Sequence, residues 1–186
     1  MLYLIATVLG VLLGIVFKGK LSNLLNIRLE KVWIVILAFV VQTLLRVLTL
    51  NGLGILSGYG LITHCIVYGL LLVGFWFNRH YAGMCIMGLG CFSNALVMAL
   101  SGGKMPVSVE ALAKAQITGV EDILQAGMDG KHVILDESTR LYFLADIINL
   151  PPVLGAFMPV VSIGDLIIAA GIFLLAFCGV KGAGLK

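Results

Sequence analysis

The chain has 186 residues, of which 61% are hydrophobic and 11% charged, and its mean hydropathy is +1.13. Soluble domains carry about 25% charged residues, so a water-facing globular fold is excluded, and so is disorder, which needs low hydrophobicity and high net charge. A net charge of +3 supplies no basic stripe for nucleic acid, which leaves a protein of several membrane spans.

A helix that crosses the hydrocarbon of a bilayer needs about 20 apolar residues, with a working range of about 17–25. In chain order, the segments at or near that length are Leu2–Phe17, Val32–Leu50, Tyr59–Phe77, Tyr81–Leu100 and Val160–Val180. They are apolar on every face, whereas the strands of a membrane barrel alternate. The expected fold is therefore all-α: a polytopic membrane helical bundle of about five transmembrane helices, with a partly ordered extracytoplasmic loop. Residues 1–101 form the four-helix transmembrane region, 102–159 the loop with short helices, and 160–186 the fifth helix and a tail.

The first segment opens Met-Leu-Tyr-Leu-Ile without the positive n-region of a cleaved signal. Lys18 and Lys20 follow its apolar stretch instead, as suits a retained helix. Its Gly10-Val11-Leu12-Leu13-Gly14 has the spacing that lets two helix backbones approach closely, although glycine is frequent throughout the chain. Lys18, Lys20, Arg28, Lys31, Arg79, Lys181 and Lys186 all fall on one side if five helices alternate. The positive-inside rule makes that side the cytoplasm. The expected location is the bacterial cytoplasmic membrane, multi-pass, with the N-terminus outside and the C-terminus inside.

The long segment 102–159 stands apart. It carries a net charge of −3 against +6 for the rest of the chain, and it holds seven of the nine acids: Glu110, Glu121, Asp122, Asp129, Asp136, Glu137 and Asp146. A connection of this length in a compact protein is functional or disordered, and this one has the composition of an ordered segment. Ser108 can cap a short helix reaching Ile117, with Glu110 in the first turn where the macrodipole favours an acid. Leu141-Tyr142-Phe143-Leu144 and Ile147-Ile148 are apolar enough to dip toward the membrane surface. Pro151, Pro152 and Pro159 end any helix and re-aim the chain into the last span.

Polar groups at membrane depth are functional candidates by default, and each here has a plainer alternative. Arg46, near the end of the second span, can snorkel to the interface. Gln42 and His64 can serve as helix–helix contacts. Asn94 can be interhelical glue or can orient a group at a site. Cys65, Cys85, Cys91 and Cys178 show no zinc-ligand spacing, and Ser101-Gly102-Gly103-Lys104 lacks the spacing of a phosphate loop. No metal and no cofactor is expected.

Asp165 lies one turn inside the fifth span. The plain explanation is a helix-start acid, with Ser162 as the cap and Asp165 at the third helical position. Asp146, in Phe143-Leu144-Ala145-Asp146-Ile147-Ile148, sits between apolar neighbours. Two carboxylates brought together share a proton, so that one can act as a base on water while the other polarises a carbonyl.

Four stretches carry a wider likeness: Ser101–Ser108, Leu135–Leu141, Leu144–Ile148 and Ser162–Ile167. Through them the chain resembles, over nearly its whole length, a family of small bacterial multi-span membrane proteins known as a domain of unknown function. That resemblance implies no activity. Locally, Arg140-Leu-Tyr-Phe-Leu-Ala-Asp146, then Phe157-Met-Pro-Val-Val-Ser-Ile-Gly-Asp165 and an apolar helix, is similar to the C-terminal third of signal peptidase II. This second likeness implies an intramembrane aspartyl peptidase with Asp146 and Asp165 as its catalytic pair. The family's Gly-Asn-x-x-Asp-Arg signature is absent apart from Arg140, and Ser162-Ile163-Gly164 replaces the Asn before the second aspartate.

The functional expectation is an integral membrane protein with an aspartate-pair site near the outer leaflet. Asp146 and Asp165 are its candidate catalytic residues, and Asn94, Lys104 and Arg140 its candidate substrate-positioning groups. A membrane-anchored peptide would be hydrolysed there. The alternative is a non-catalytic protein, either a subunit of a complex or homo-oligomer or a binder of a lipid or lipophilic ligand. A transporter would instead require Gln42, His64 and Asn94 to meet at a central cavity.

Overall fold

The computed structural model describes residues 1–50, 60–115, 132–155 and 159–183, without the side chains of Arg46, Thr49 and Leu50. Expectations that concerned the Arg46 side chain, the start of the third span at Tyr59, the helix end at Ile117, and Glu121, Asp122, Asp129, Phe157, Met158 and Lys186 lie outside the described residues.

Five long helices dominate: α1 (Leu2–Val16), α2 (Val32–Leu50), α3 (Gly60–Phe77), α4 (Ala82–Leu100) and α7 (Ile163–Lys181). Among the described residues three of them, α3, α4 and α7, are long and apolar enough to cross a membrane. The 15 residues of α1 rise about 22 Å at 1.5 Å per residue, short of the roughly 30 Å of a hydrocarbon core. In space α2 packs on α3, α3 on α4, α4 on α7 and α7 on α1, so the last helix is the centre of the assembly.

Its packing is backbone against backbone. Gly10 and Gly14 of α1 face Phe173, Phe177 and Val180 of α7, and a Cβ at Gly10 would come within 2.5 Å of the Phe173 carbonyl oxygen. Gly83 and Gly90 of α4 meet Gly171 and Gly164 from the other side, and a Cβ at Gly83 would come within 2.6 Å of the Gly171 carbonyl. The Gly-x-x-x-Gly spacing in α1 therefore marks a true interface, of the kind small residues permit where no hydrophobic force drives helices together. These contacts also fix direction: α1 runs parallel to α7, and α4 runs antiparallel to both.

The sequence of α7 stops it cleanly at both ends. Ser162 caps the start in a reciprocal capping box with Asp165, and Gly182 ends the helix with a left-handed φ of 70°, a conformation glycine adopts freely. The Lys181 ammonium donates to the Phe17 carbonyl at 2.7 Å, tying the end of α7 to the end of α1.

Between α4 and α7 the chain builds small sheets on the helix ends. Gly102 and Gly103 both take positive φ, 67° and 86°, and the Gly103 N–H donates to the Met98 carbonyl at 2.8 Å. The Ser-Gly-Gly-Lys stretch is thus the turn that ends α4. Next come β1 (Met105–Val107) and α5 (Val109–Lys114). Ser108 Oγ caps α5 by accepting from the Ala111 N–H, with Glu110 in the first turn. β2 (His132–Ile134) pairs parallel with β1, placing Met105 opposite His132. β3 (Ile148–Asn149) pairs antiparallel with β4 (Val160–Val161), and α6 (Pro152–Gly155) lies between them. The fold remains mostly α-helical, but these strands were not expected. The last helix begins at Ile163 rather than Val160 because Val160 and Val161 belong to β4. Met105 packs with Val97 and Met98 of α4, and Val161 with Leu2 and Ala169, so apolar side chains of the sheets plug the ends of the helices.

Candidate functional site

The capping box of α7 opens onto its neighbours. Asp165 is 8% exposed and Ser162 fully buried. Asp165 Oδ2 accepts the Ser162 backbone N–H at 3.1 Å, and the Asp165 N–H donates to Ser162 Oγ at 3.0 Å. The other oxygen serves other helices. Asp165 Oδ1 accepts the Tyr3 hydroxyl of α1 at 2.8 Å and the Asn94 amide of α4 at 3.0 Å. Ser162 Oγ lies 3.0 Å from both Asn94 Oδ1 and Asp165 Oδ2, and its single hydroxyl proton serves one of them at a time. Four side chains on α1, α4 and α7 thus form a closed network, and a satisfied buried network rigidifies the elements it joins. The close approach is essential, since a Cβ at Gly164 would fall on the Asn94 amide oxygen.

Asp146 is held differently. Its backbone flanks β1 opposite Val107 in a parallel bridge. The Asp146 N–H donates to the Pro106 carbonyl at 2.9 Å, and its carbonyl accepts the Ser108 N–H at 3.0 Å. Its side chain, like that of Asp165, is buried, and Asp146 Oδ2 lies 3.9 Å from His132 Nε2 of β2. The position of Asp146 is therefore set by the small sheet rather than by a helix. β3 pairs with β4 through Ile148 and Val161, so the segment that carries Asp146 and the start of α7 that carries Asp165 lie at one end of the bundle.

Of the positioning groups expected from the sequence, Asn94 joins this cluster directly. Arg140 is exposed and Lys104 half-buried, and among the described residues no hydrogen bond or ion pair links either to an aspartate. The residues that a carrier pathway would need go separate ways. Gln42 is exposed on α2, His64 Nδ1 lies 2.7 Å from the Gly60 carbonyl, and Asn94 is committed to Asp165. Among the described residues no three His, Cys, Asp or Glu side chains gather as a metal would require.

Tyr3 and His132 belong to the cluster but were not singled out from the sequence. Tyr3 had a legible signal, because a phenol one turn into an otherwise apolar helix needs a buried hydrogen-bond partner. Nothing local marks His132, which reaches Asp146 through the pairing of β1 with β2.

The chain is similar to an uncharacterised protein of Thermotoga maritima, 27% identical over 172 residues that make up 92% of this chain and 86% of that protein. No solved structure matches it. The model of a family of unknown function, DUF5317, matches residues 26–177, a span that holds α2 to α4, both sheets, Asp146 and Asp165, and the chain belongs to that family.

Proposed function

We propose that the protein is a membrane-embedded binding protein whose site is this acidic end of the bundle, facing the outer leaflet. Its ligand is a lipophilic molecule with a cationic or hydrogen-bond-donating head. Asp165 holds the frame and Asp146 engages the head. One observation carries this reading: Asp165 spends both oxygens on its own capping box and on donors from α1 and α4, while Asp146 rides on the loop sheet at the same end of the bundle. A charge-assisted hydrogen bond is worth about 1.5–3 kcal/mol, so removing the Asp146 charge should weaken binding about tenfold or more. The probe is a fluorescent long-chain primary amine titrated against the purified protein in lipid nanodiscs. Asp146→Asn should lose affinity while melting like the parent protein. Equal binding by the variant would overturn the assignment.

A second reading, aspartyl-type hydrolysis of a membrane-anchored peptide, is favoured by the placement of both carboxylates at one end of the bundle; the resemblance to signal peptidase II read from residues 140–165 is the expectation behind it. Its test is cleavage of such a peptide by the protein in lipid. Cleavage that survives both Asp146→Asn and Asp165→Asn would remove it.

A further inference from the structure

The opposite end of the bundle holds a cavity of about 580 Å³ lined by Glu30, Phe77, Arg79, His80 and Cys85, within the range of about 300–1,000 Å³ of small-molecule sites. Buried polar side chains next to this lining join the two segments that carry it. Asn78, 2% exposed, accepts the Glu30 N–H through Oδ1 at 2.8 Å and donates through Nδ2 to the carbonyls of Glu30 and Gly74, each at 2.9 Å. The Tyr81 hydroxyl accepts the Arg28 N–H at 3.2 Å and donates to the Arg28 carbonyl at 3.3 Å. The segment before α2 is thereby stapled to the turn between α3 and α4, and the cavity lies along that seam.

Two cations flank it on aromatic rings. The Arg79 guanidinium stacks 4.6 Å from the Trp76 ring, and Lys31 Nζ sits 3.7 Å from the Phe77 ring. Arg79 Nη1 also donates to the Trp76 carbonyl at 3.1 Å, which fixes the guanidinium and leaves most of its five donors available. Glu30 lines the same cavity. Among the described residues no ion pair closes Glu30 onto Arg79 or any other cation. An acid and a base thus line one space with no ion pair between them among the described residues.

We propose that this cavity binds the headgroup of a zwitterionic phospholipid, with phosphate on Arg79 and His80 and a primary ammonium on Glu30. A simple anionic headgroup would satisfy the cations and meet the Glu30 carboxylate as a like charge. A choline headgroup carries no N–H for Glu30 to accept. Phosphoethanolamine supplies both an acceptor-rich phosphate for the planar fork of arginine and a donor for the carboxylate. The exposed Trp76 ring beside Arg79 is the kind of amphipathic side chain that settles at headgroup level.

The test is native mass spectrometry of the full chain released from nanodiscs containing equal parts of phosphatidylethanolamine, phosphatidylglycerol and phosphatidylcholine. Retained phosphatidylethanolamine should exceed each of the others about fivefold or more, as a single charge-assisted contact of about 1 kcal/mol or more dictates. Glu30→Gln should abolish the preference over phosphatidylglycerol, and Arg79→Gln should lower retention of both. Water-soluble glycerophosphoethanolamine should fail to displace the lipid. Equal retention of the three lipids, a preference unchanged in both variants, or displacement by the soluble headgroup would each overturn the proposal. Lys114→Gln, on the exposed face of α5, is the control and should leave retention unchanged.

Discussion

The two ends of the bundle solve the problem of buried polarity in opposite ways. At the acidic end, Asp165, Ser162, Asn94 and Tyr3 close on one another across three helices, and small sheets cover the cluster. At the basic end, Asn78 and Tyr81 spend their side chains on backbone groups of the segment before α2, leaving Glu30 and Arg79 apart around an open cavity. The acidic end is stabilised by side-chain partners that satisfy each other. The basic end has its backbone satisfied and its charges free to face a ligand. A polar cluster near lipid can therefore be a structural lock or a recognition surface, and what the fixed residues bond to separates the two.

The largest expected effect breaks the lock. Asp165→Ala removes the cap partner of α7 and leaves the Tyr3 hydroxyl and the Asn94 amide unpaired in a buried setting. Each orphaned group costs about 1–3 kcal/mol, and a lost cap about 1 kcal/mol, so a loss of about 3–7 kcal/mol should appear in detergent unfolding curves. Asn78→Ala should cost less, about 1–3 kcal/mol, and its signature should be at the other end, as lost lipid preference. Among the described residues the two ends share no hydrogen-bond partner, so the double variant should be additive within about 0.5 kcal/mol. A larger coupling would mean that α7 or α4 transmits strain between them.

The smallest effect concerns the loop that covers the acidic end. Hydrogen bonds from Ser138 and then Thr139 hold the Asp136 carboxyl below the usual aspartate range. A carboxyl depressed in the folded state stabilises it at neutral pH, and that contribution disappears as pH falls through the depressed value. Asp136→Asn should therefore lower stability slightly at neutral pH, leave it unchanged at low pH and so flatten the acid limb of the curve, read as melting temperature against pH.

The residues differ in how visibly the chain announced them. Ser162 and Asp165 stand three apart at the head of an apolar run, so their capping box is a local pattern, and Ser108 with Glu110 is another. Gly10 and Gly14 carried their own spacing. The strands did not, since a run of two or three residues has no period to read, and Val160 and Val161 pass for the start of a helix. Arg140 attracted notice because it shares a short stretch with Asp146, yet it is exposed. Tyr3 lies 162 residues from the carboxylate it serves, and no local rule connects them.

By itself the sequence determined the helices, their caps and the division of charge between a positive rim and an acidic loop, because hydropathy, capping and charge act over a few residues. Only the tertiary structure decided that Asp165 is locked by α1 and α4, that Asp146 is placed by a sheet opposite His132, and that Glu30 and Arg79 face one cavity. Those relations depend on which backbones approach one another, and glycines that remove the Cβ at the α7 contacts set that distance.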